Sequence, residues 1–301
     1  MEKHLLGLKD FKSFCCNIDC ISLTMGSIRI IKSNGEAENF NPDKLRQSLL
    51  KAGAKVGLAE AIVENIVSKL KQGDTTRLIY RRAFDLLKSA SIASADKYHL
   101  KEAMMQLGPT GYPFEVLTGE ILKAEGYQVK TGQLIEGQFV NHEVDVVAEI
   151  NNQQVLIECK FHNHPSRVSD VKVPLYIQSR FQDIKAAYTT QGNGAPAYQQ
   201  GGIFTNTRFT VDAMTYGKGV GLRLVSWNYP YKGNLPQLME DYKIYPVTAI
   251  TSLTGQQHKQ LIAANIISCK QLLFNSNILK ELNLNTSQRK AFDEEIKALG
   301  F

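Results

Sequence analysis

The chain has 301 residues, 43% of them hydrophobic and 21% charged, with a formal net charge of +6. That length allows two or three domains with cores of their own, and the composition excludes a globally disordered chain. The mild basic excess is compatible with a polyanionic partner without establishing one, and no apolar run reaches the roughly 18 residues that would span a bilayer.

Five cysteines without a CxxC pair argue against a zinc site, and their odd count argues against a disulfide framework, so a reducing cytoplasm is the expected compartment. Residues 1–25 lack the apolar core and cleavage site of a signal peptide and read as an N-terminal extension. Two origins stay open for it, translation from a start upstream of Met25 or an ordinary N-terminal arm. The stretch 27–40 reads as a hairpin turning at Ser33-Asn34-Gly35. A helix starts next, with Asn41 as cap, Pro42 in the first turn and Gly53 at the end. Further helices are expected near 58–72, 76–91 and 94–107, before the Gly- and Pro-rich "LGPTGYP" (107–113) breaks the pattern.

Beyond it the pattern predicts a helix ending at Gly126 and strands through 134–150 and 153–161. A helix near 168–188, a loop at 189–202, a buried strand "GIFT", a helix and a strand ending at Trp227 follow. This order implies an α/β domain with a mixed sheet. A second linker lies at 228–236, and the tail from about 247 is helical.

The stretch "HEVDVVAEINNQQVLIECKFHNHP" (142–165) carries the chemistry. A turn centred on Asn151-Asn152 pairs residues whose numbers sum to 303, so Asp145 faces Glu158, and Lys160 shares that face. Val155, Ile157, Cys159 and Phe161 point the other way, into a core. Two opposed carboxylates repel unless something positive lies between them. A divalent cation such as Mg2+ resolves the conflict, and a solvated hairpin neutralised by Lys160 is the plain alternative. Glu115 and Glu120 stand on the preceding helix, five residues apart and on different faces; Glu120 reads as solvated. His142, His162 and His164 make a weak zinc reading, because the Asp, Glu and Lys already account for the face. Arg167, Lys172, Arg180 and Lys185 can meet phosphates, but Asp170 and Asp183 dilute them, and a solvated face reads equally well.

The sequence "PFEVLTGEILKAEGYQV", followed by "HEVDVVAE" and "VLIECKF", resembles the PD-(D/E)xK nuclease superfamily and, within it, the Mrr-like restriction endonuclease domain, over about 113–227. That resemblance implies Asp145 and Glu158 as metal ligands, and Glu115, Asp145, Glu158 and Lys160 as the catalytic set acting on DNA. Asn141-His142-Glu143-Val144 replaces the glycine-rich approach to the aspartate that is common in the family.

No P-loop or Rossmann phosphate motif occurs. "IRIIKSNGEAENFNPDKLRQSLLKAGA", however, resembles the ATP-cone domain, over about 28–105. By position, that resemblance implies Ile30, Lys32, Ser33, Asn41, Lys44 and Thr76 around ATP or dATP bound as a regulator. Ser33 stands where arginine is frequent in that family.

The tail "VTAITSLTGQQHKQLIAANIISCKQLLF" resembles helix-hairpin-helix pairs only in outline and lacks their diagnostic glycines; a helical cap or dimerisation element reads equally well. The expected fold class is a multidomain α+β chain. It comprises an ATP cone (26–108), a restriction-endonuclease-like α/β domain with a mixed sheet (109–232) and a C-terminal helical domain (240–301). The expected function is a nucleotide-regulated, Mg2+-dependent DNA endonuclease, forming a homo-oligomer with no membrane partner. The alternative is a non-cleaving DNA-binding or oligomerisation switch controlled by ATP or dATP.

Overall fold

The computed structural model describes residues 28–32, 35–190 and 197–301. The expected extension at 1–25 lies outside the described residues. The chain divides into two compact units, the first ending at Ala90 and the second running from Ser91 to Phe301.

In the first unit β1 (Arg29–Ile31) pairs antiparallel with β2 (Ala37–Asn39), with Ile30 opposite Glu38. Helix α1 (Pro42–Lys51) starts where the Asn41 side chain accepts the N–H groups of Asp43 and Lys44, satisfying two donors that an α-helix leaves unpaired. It buries Leu45 and Leu49 and stops before Gly53, whose φ of 85° suits a residue without a Cβ. Helices α2 (Val56–Lys69) and α3 (Thr76–Ala90) complete the unit. Between them the chain returns to β1, where the Ile31 N–H donates to the Asp74 carbonyl at 3.0 Å.

The second unit begins with α4 (Ile92–Met105) and α5 (Tyr112–Ala124). A five-stranded sheet follows, ordered β3 (Gln128–Glu136), β4 (Asn141–Ile150), β5 (Gln153–Lys160), β7 (Ala197–Thr205), β9 (Arg223–Val225). The first three strands are antiparallel, and β5, β7 and β9 run parallel. The mixed sheet expected from the element order is therefore present. A side ladder joins β6 (Val168–Ser169) to β8 (Arg208–Phe209). One face of the sheet packs on α6 (Lys172–Thr190) and α7 (Val211–Gly219) through Val147, Leu156, Ile177, Phe181 and Ile203. The other face packs on α5 and the C-terminal helices α8 (Leu235–Tyr242), α9 (Gly255–Ala263), α10 (Cys269–Phe274), α11 (Ser276–Glu281) and α12 (Thr286–Ala298).

Two placements differ from the sequence reading. Helix α4, expected with the cone, belongs to the second unit. Its Leu100 and Met104 enter the large core, and Thr248 Oγ1 donates to its Ala103 carbonyl at 2.6 Å. The helices after 240 share one apolar cluster with the sheet instead of building a core of their own. In both cases periodicity shows which helix face is apolar but not what covers it. No helix among the described residues is long and apolar enough to cross a membrane.

Strand β7 carries Gly201 and Gly202 because the neighbours leave no room for a Cβ. At Gly201 that atom would lie 2.1 Å from Phe181 Cδ2, and at Gly202 2.6 Å from Ile157 Cδ1. Gly201→Ala is expected to push α6 off the sheet and cost about 1–3 kcal/mol, as overpacking does. Thermal melting should show a fall of roughly 2–10 °C.

Candidate functional site

The β4–β5 hairpin turns at Asn151 and Asn152, both at positive φ (51° and 61°), the backbone of a type I′ turn. Every ladder pair, from Ile150–Gln153 to Val146–Ile157, follows the register read from the sequence. The ladder stops one pair short of Asp145–Glu158. There Asp145 Oδ2 accepts the Cys159 N–H at 2.6 Å, so the carboxylate replaces a backbone acceptor at the hairpin's open end. Val155, Ile157 and Cys159 face the α5 side and its core, as expected.

Glu158 is 5% exposed, and both of its oxygens are paired. Lys160 Nζ lies 2.6 Å from Oε1 and Arg180 Nη1 2.9 Å from Oε2. Arg180 reaches from α6, one turn beyond the buried Ile177, and its other nitrogen donates to the Glu143 carbonyl. It also lies 5.6 Å from the Tyr176 ring. The sequence marked Arg180 only as a possible phosphate contact; its bond to Glu158 spans 22 residues and left no local signal. A polar cleft of about 340 Å³ is lined by Asn141, His142, Glu143, Asp145, Glu158, Tyr176 and Arg180.

Glu115 stands in the first turn of α5, half-buried. Burial raises its pKa to about 7, with Asp145, Glu143 and Glu158 adding to the rise. Asp145 rises to about 6, through burial first and Glu158 second, against the pull of the Cys159 N–H, Lys160 and Arg180. The loop before α5 closes on the site because Gly108 lacks a Cβ, which would stand 2.5 Å from Asn163 Oδ1. Asn163 donates to the Pro109 carbonyl at 3.0 Å. Glu120, read as solvated, instead pairs with Lys123 at 2.9 Å.

The three histidines have partners of their own. His142 pairs with Asp183 at 2.8 Å, His162 meets Ser169 Oγ at 3.0 Å, and His164 meets Ser166 Oγ at 2.6 Å. Among the described residues no group of three or more His, Cys, Asp or Glu side chains converges on a metal position. Asp145 and Glu158 are two carboxylates, fewer ligands than a closed protein site for a hard cation supplies.

In the first unit, Lys32 and Lys44 converge on Glu38, at 2.9 and 3.6 Å. Asn41 caps α1 and, with Lys44, Gln47, Ser48 and Lys51, lines a cleft of about 390 Å³. A bridge between Ile31 and Thr75 brings Thr76, the first residue of α3, beside β1. Ile30 is 5% exposed, so strand alternation turns it into the core and leaves Arg29 and Ile31 outside. Ser33 lies outside the described residues.

Residues 28–82 match the ATP cone domain, and residues 245–299 match the model described as AF1548-like, C-terminal. The first unit thus carries a nucleotide-binding regulatory domain. An uncharacterised protein of Archaeoglobus fulgidus is 31% identical over 182 residues, which cover 60% of this chain and 98% of that protein. The chain belongs to the AF1548-like family. The crystal structure of AF1548, a protein of unknown function, is 30% identical to this AF1548-like chain. Its TM-score is 0.50, and the match covers 64% of this chain and 99% of that one. Two further structures resemble the AF1548-like chain distantly. MspJI restriction endonuclease in complex with a 27-mer oligonucleotide is 14% identical at a TM-score of 0.25, covering 52% of this chain and 35% of that one. Can2 from Sulfobacillus thermosulfidooxidans in complex with cyclic tetra-adenylate is 15% identical at 0.30, covering 70% and 63%.

The raised acid at Asp145 has a thermodynamic consequence. Unfolded, it ionises near its ordinary 3.8; folded, near 6. Between those values the folded chain holds a proton that the unfolded chain has released, so stability falls as pH rises through this window. Asp145→Asn removes the loss and can still accept the Cys159 N–H. In chelator, the melting temperature of the variant relative to wild type is expected to climb by on the order of 4 °C from pH 4 to pH 7. A difference that stays flat with pH refutes the assignment.

Proposed function

We propose that this AF1548-like chain is a Mg2+-dependent DNA endonuclease of the PD-(D/E)xK kind, regulated by ATP or dATP at the cone. The observation that carries the reading is the placement of Asp145 and Glu158 at the open end of one hairpin, on the wall of a polar cleft, with Lys160 paired to Glu158. A bound magnesium would lower the pKa of an attacking water and offset charge on the phosphate. Asp145 and Glu158 would hold it. Lys160 orients the water or neutralises the developing charge, and Arg180 is placed to draw a phosphate into the cleft. Glu115, close enough to feel three other carboxylates, supports the metal or the water. In this reading residues 28–82 sense nucleotide, 109–232 carry the chemistry, and the helices after 240 back the sheet.

One observation favours a second reading. Lys160 and Arg180 already satisfy both oxygens of Glu158, as a hairpin that binds DNA without cutting it, or an oligomerisation switch, would require. Plasmid incubation separates the two. The wild type with Mg2+ is expected to nick DNA, and Asp145→Ala to lose at least about a hundredfold in rate, roughly 2.7 kcal/mol. No nicking under any nucleotide condition leaves the non-cleaving reading standing.

For the cone, Lys32 and Lys44 supply positive charge at the hairpin and helix start, where a triphosphate would exchange with Glu38. Calorimetric titration is expected to show ATP or dATP binding that Lys44→Ala weakens roughly tenfold. Equal binding by the variant removes Lys44 from the site.

A further inference from the structure

The parallel strands β5, β7 and β9 all end on the same edge of the sheet, and cations gather there beyond Lys160. His162 follows Lys160, and its pKa is lowered by burial first and then by Arg167 and Lys160, so both charges are close. Asn206 fixes this turn by accepting the His162 N–H at 2.8 Å and donating to the His162 carbonyl at 2.9 Å. The β6–β8 ladder sets Arg208 opposite Val168, the residue after Arg167. The Lys101 ammonium on α4 lies 5.6 Å from the Trp227 ring centroid, just past β9. Burial first, and Arg208 second, press its pKa down.

Among the described residues, Lys101, Arg167 and Arg208 form no ion pair; the other arginines of this unit, Arg180, Arg223 and Arg289, each do. Asp170, the nearest acid in the sequence to Arg167, accepts the Lys172 N–H. A part-buried ammonium close enough to a guanidinium to feel its charge is costly unless an anion arrives. Carboxyl ends of parallel strands are also where open α/β sheets bind their ligands.

We propose that Arg167, Arg208 and Lys101, with the Trp227 ring, form a track for a single strand of nucleic acid leaving the site at Lys160. The cations hold successive phosphates and the indole stacks an unpaired base. The track extends the nuclease reading, but its evidence does not depend on chemistry at Asp145. A base inside a duplex is stacked on both faces and has none to offer Trp227. Only the terminal pairs of a blunt duplex do, so a run of unpaired bases is favoured over a long duplex.

Trp227 is the chain's only tryptophan, so its emission reports this place alone. The test titrates the full chain, in chelator, with end-labelled oligothymidylate of about 15 nucleotides, a length within the span of single-strand sites. Tryptophan emission and probe anisotropy are read together. Expected is quenching by tens of per cent, roughly what a stacked base gives. The Lys101→Met/Arg208→Ala double variant should lose about tenfold in affinity. Its slope of log affinity against log salt should be shallower by about 1.4, near 0.7 for each lost cation on single strands. Arg208→Ala alone, at an exposed position, gives about half that slope change and holds the test open if Lys101→Met fails to fold.

Saturable binding with unchanged emission overturns the proposal, as do affinities within twofold of wild type in both variants, or no binding by wild type. Equal quenching by a blunt duplex overturns the single-strand assignment. Failure of plasmid nicking with quenching intact sinks the nuclease reading and leaves the track. Nicking without quenching does the reverse.

Discussion

A carboxylate enclosed at the end of a strand has to be paired, and the second unit is arranged around that requirement at Glu158. One partner comes from its own strand, Lys160, and the other from α6, Arg180, which also holds the Glu143 carbonyl of β4. Three elements are thereby tied to one side chain of 5% exposure. Removing either cation strands charge where water has little access, which is far more costly than losing a surface pair. Gly201 of β7 serves the same contact, since it lets Phe181, beside Arg180, sit close on the sheet.

Asp145 is handled differently. Among the described residues it forms no salt bridge; it accepts the Cys159 N–H, and burial first and the nearby Glu158 second keep its proton affinity high. A hairpin selected for stability alone would place an apolar or neutral residue there, because like charges brought close in a half-buried site oppose folding. The local cost sits at Asp145 and Glu115 while Glu158 is well satisfied, a pattern expected where structure gives way to function.

How much of this was legible in the sequence depended on the range of the interaction. The hairpin register was readable because an Asn-Asn turn and a strict two-residue period leave one pairing that keeps the apolar side chains together. Helix α1 was readable from Asn41, Pro42 and Gly53 because caps are local. The end of the ladder at Asp145 was not, since nothing in the strand pattern says that a side chain will take over from a backbone carbonyl. Arg180 was visible as a charge on an amphipathic helix, but its partner depended on how α6 crosses the sheet. Helix α4 was placed correctly along the chain and with the wrong neighbours, because its apolar stripe fits any complementary surface.

The two-cation clasp on Glu158 also bears on how the proposed chemistry would be ordered. A cation arriving at Asp145 and Glu158 competes with Lys160 and Arg180 for the same oxygens, so metal alone gains little at this position. A phosphate in the cleft changes the balance by giving Arg180 a second anion to bridge and supplying the oxygens that two carboxylates cannot. Under that reading metal and nucleic acid bind with positive coupling, and by thermodynamic linkage each tightens the other by the same factor. Under the proposed chemistry such a site would stay closed on its own ion pairs until a phosphate is present, and hydrolysis would be limited to chains that have engaged the strand.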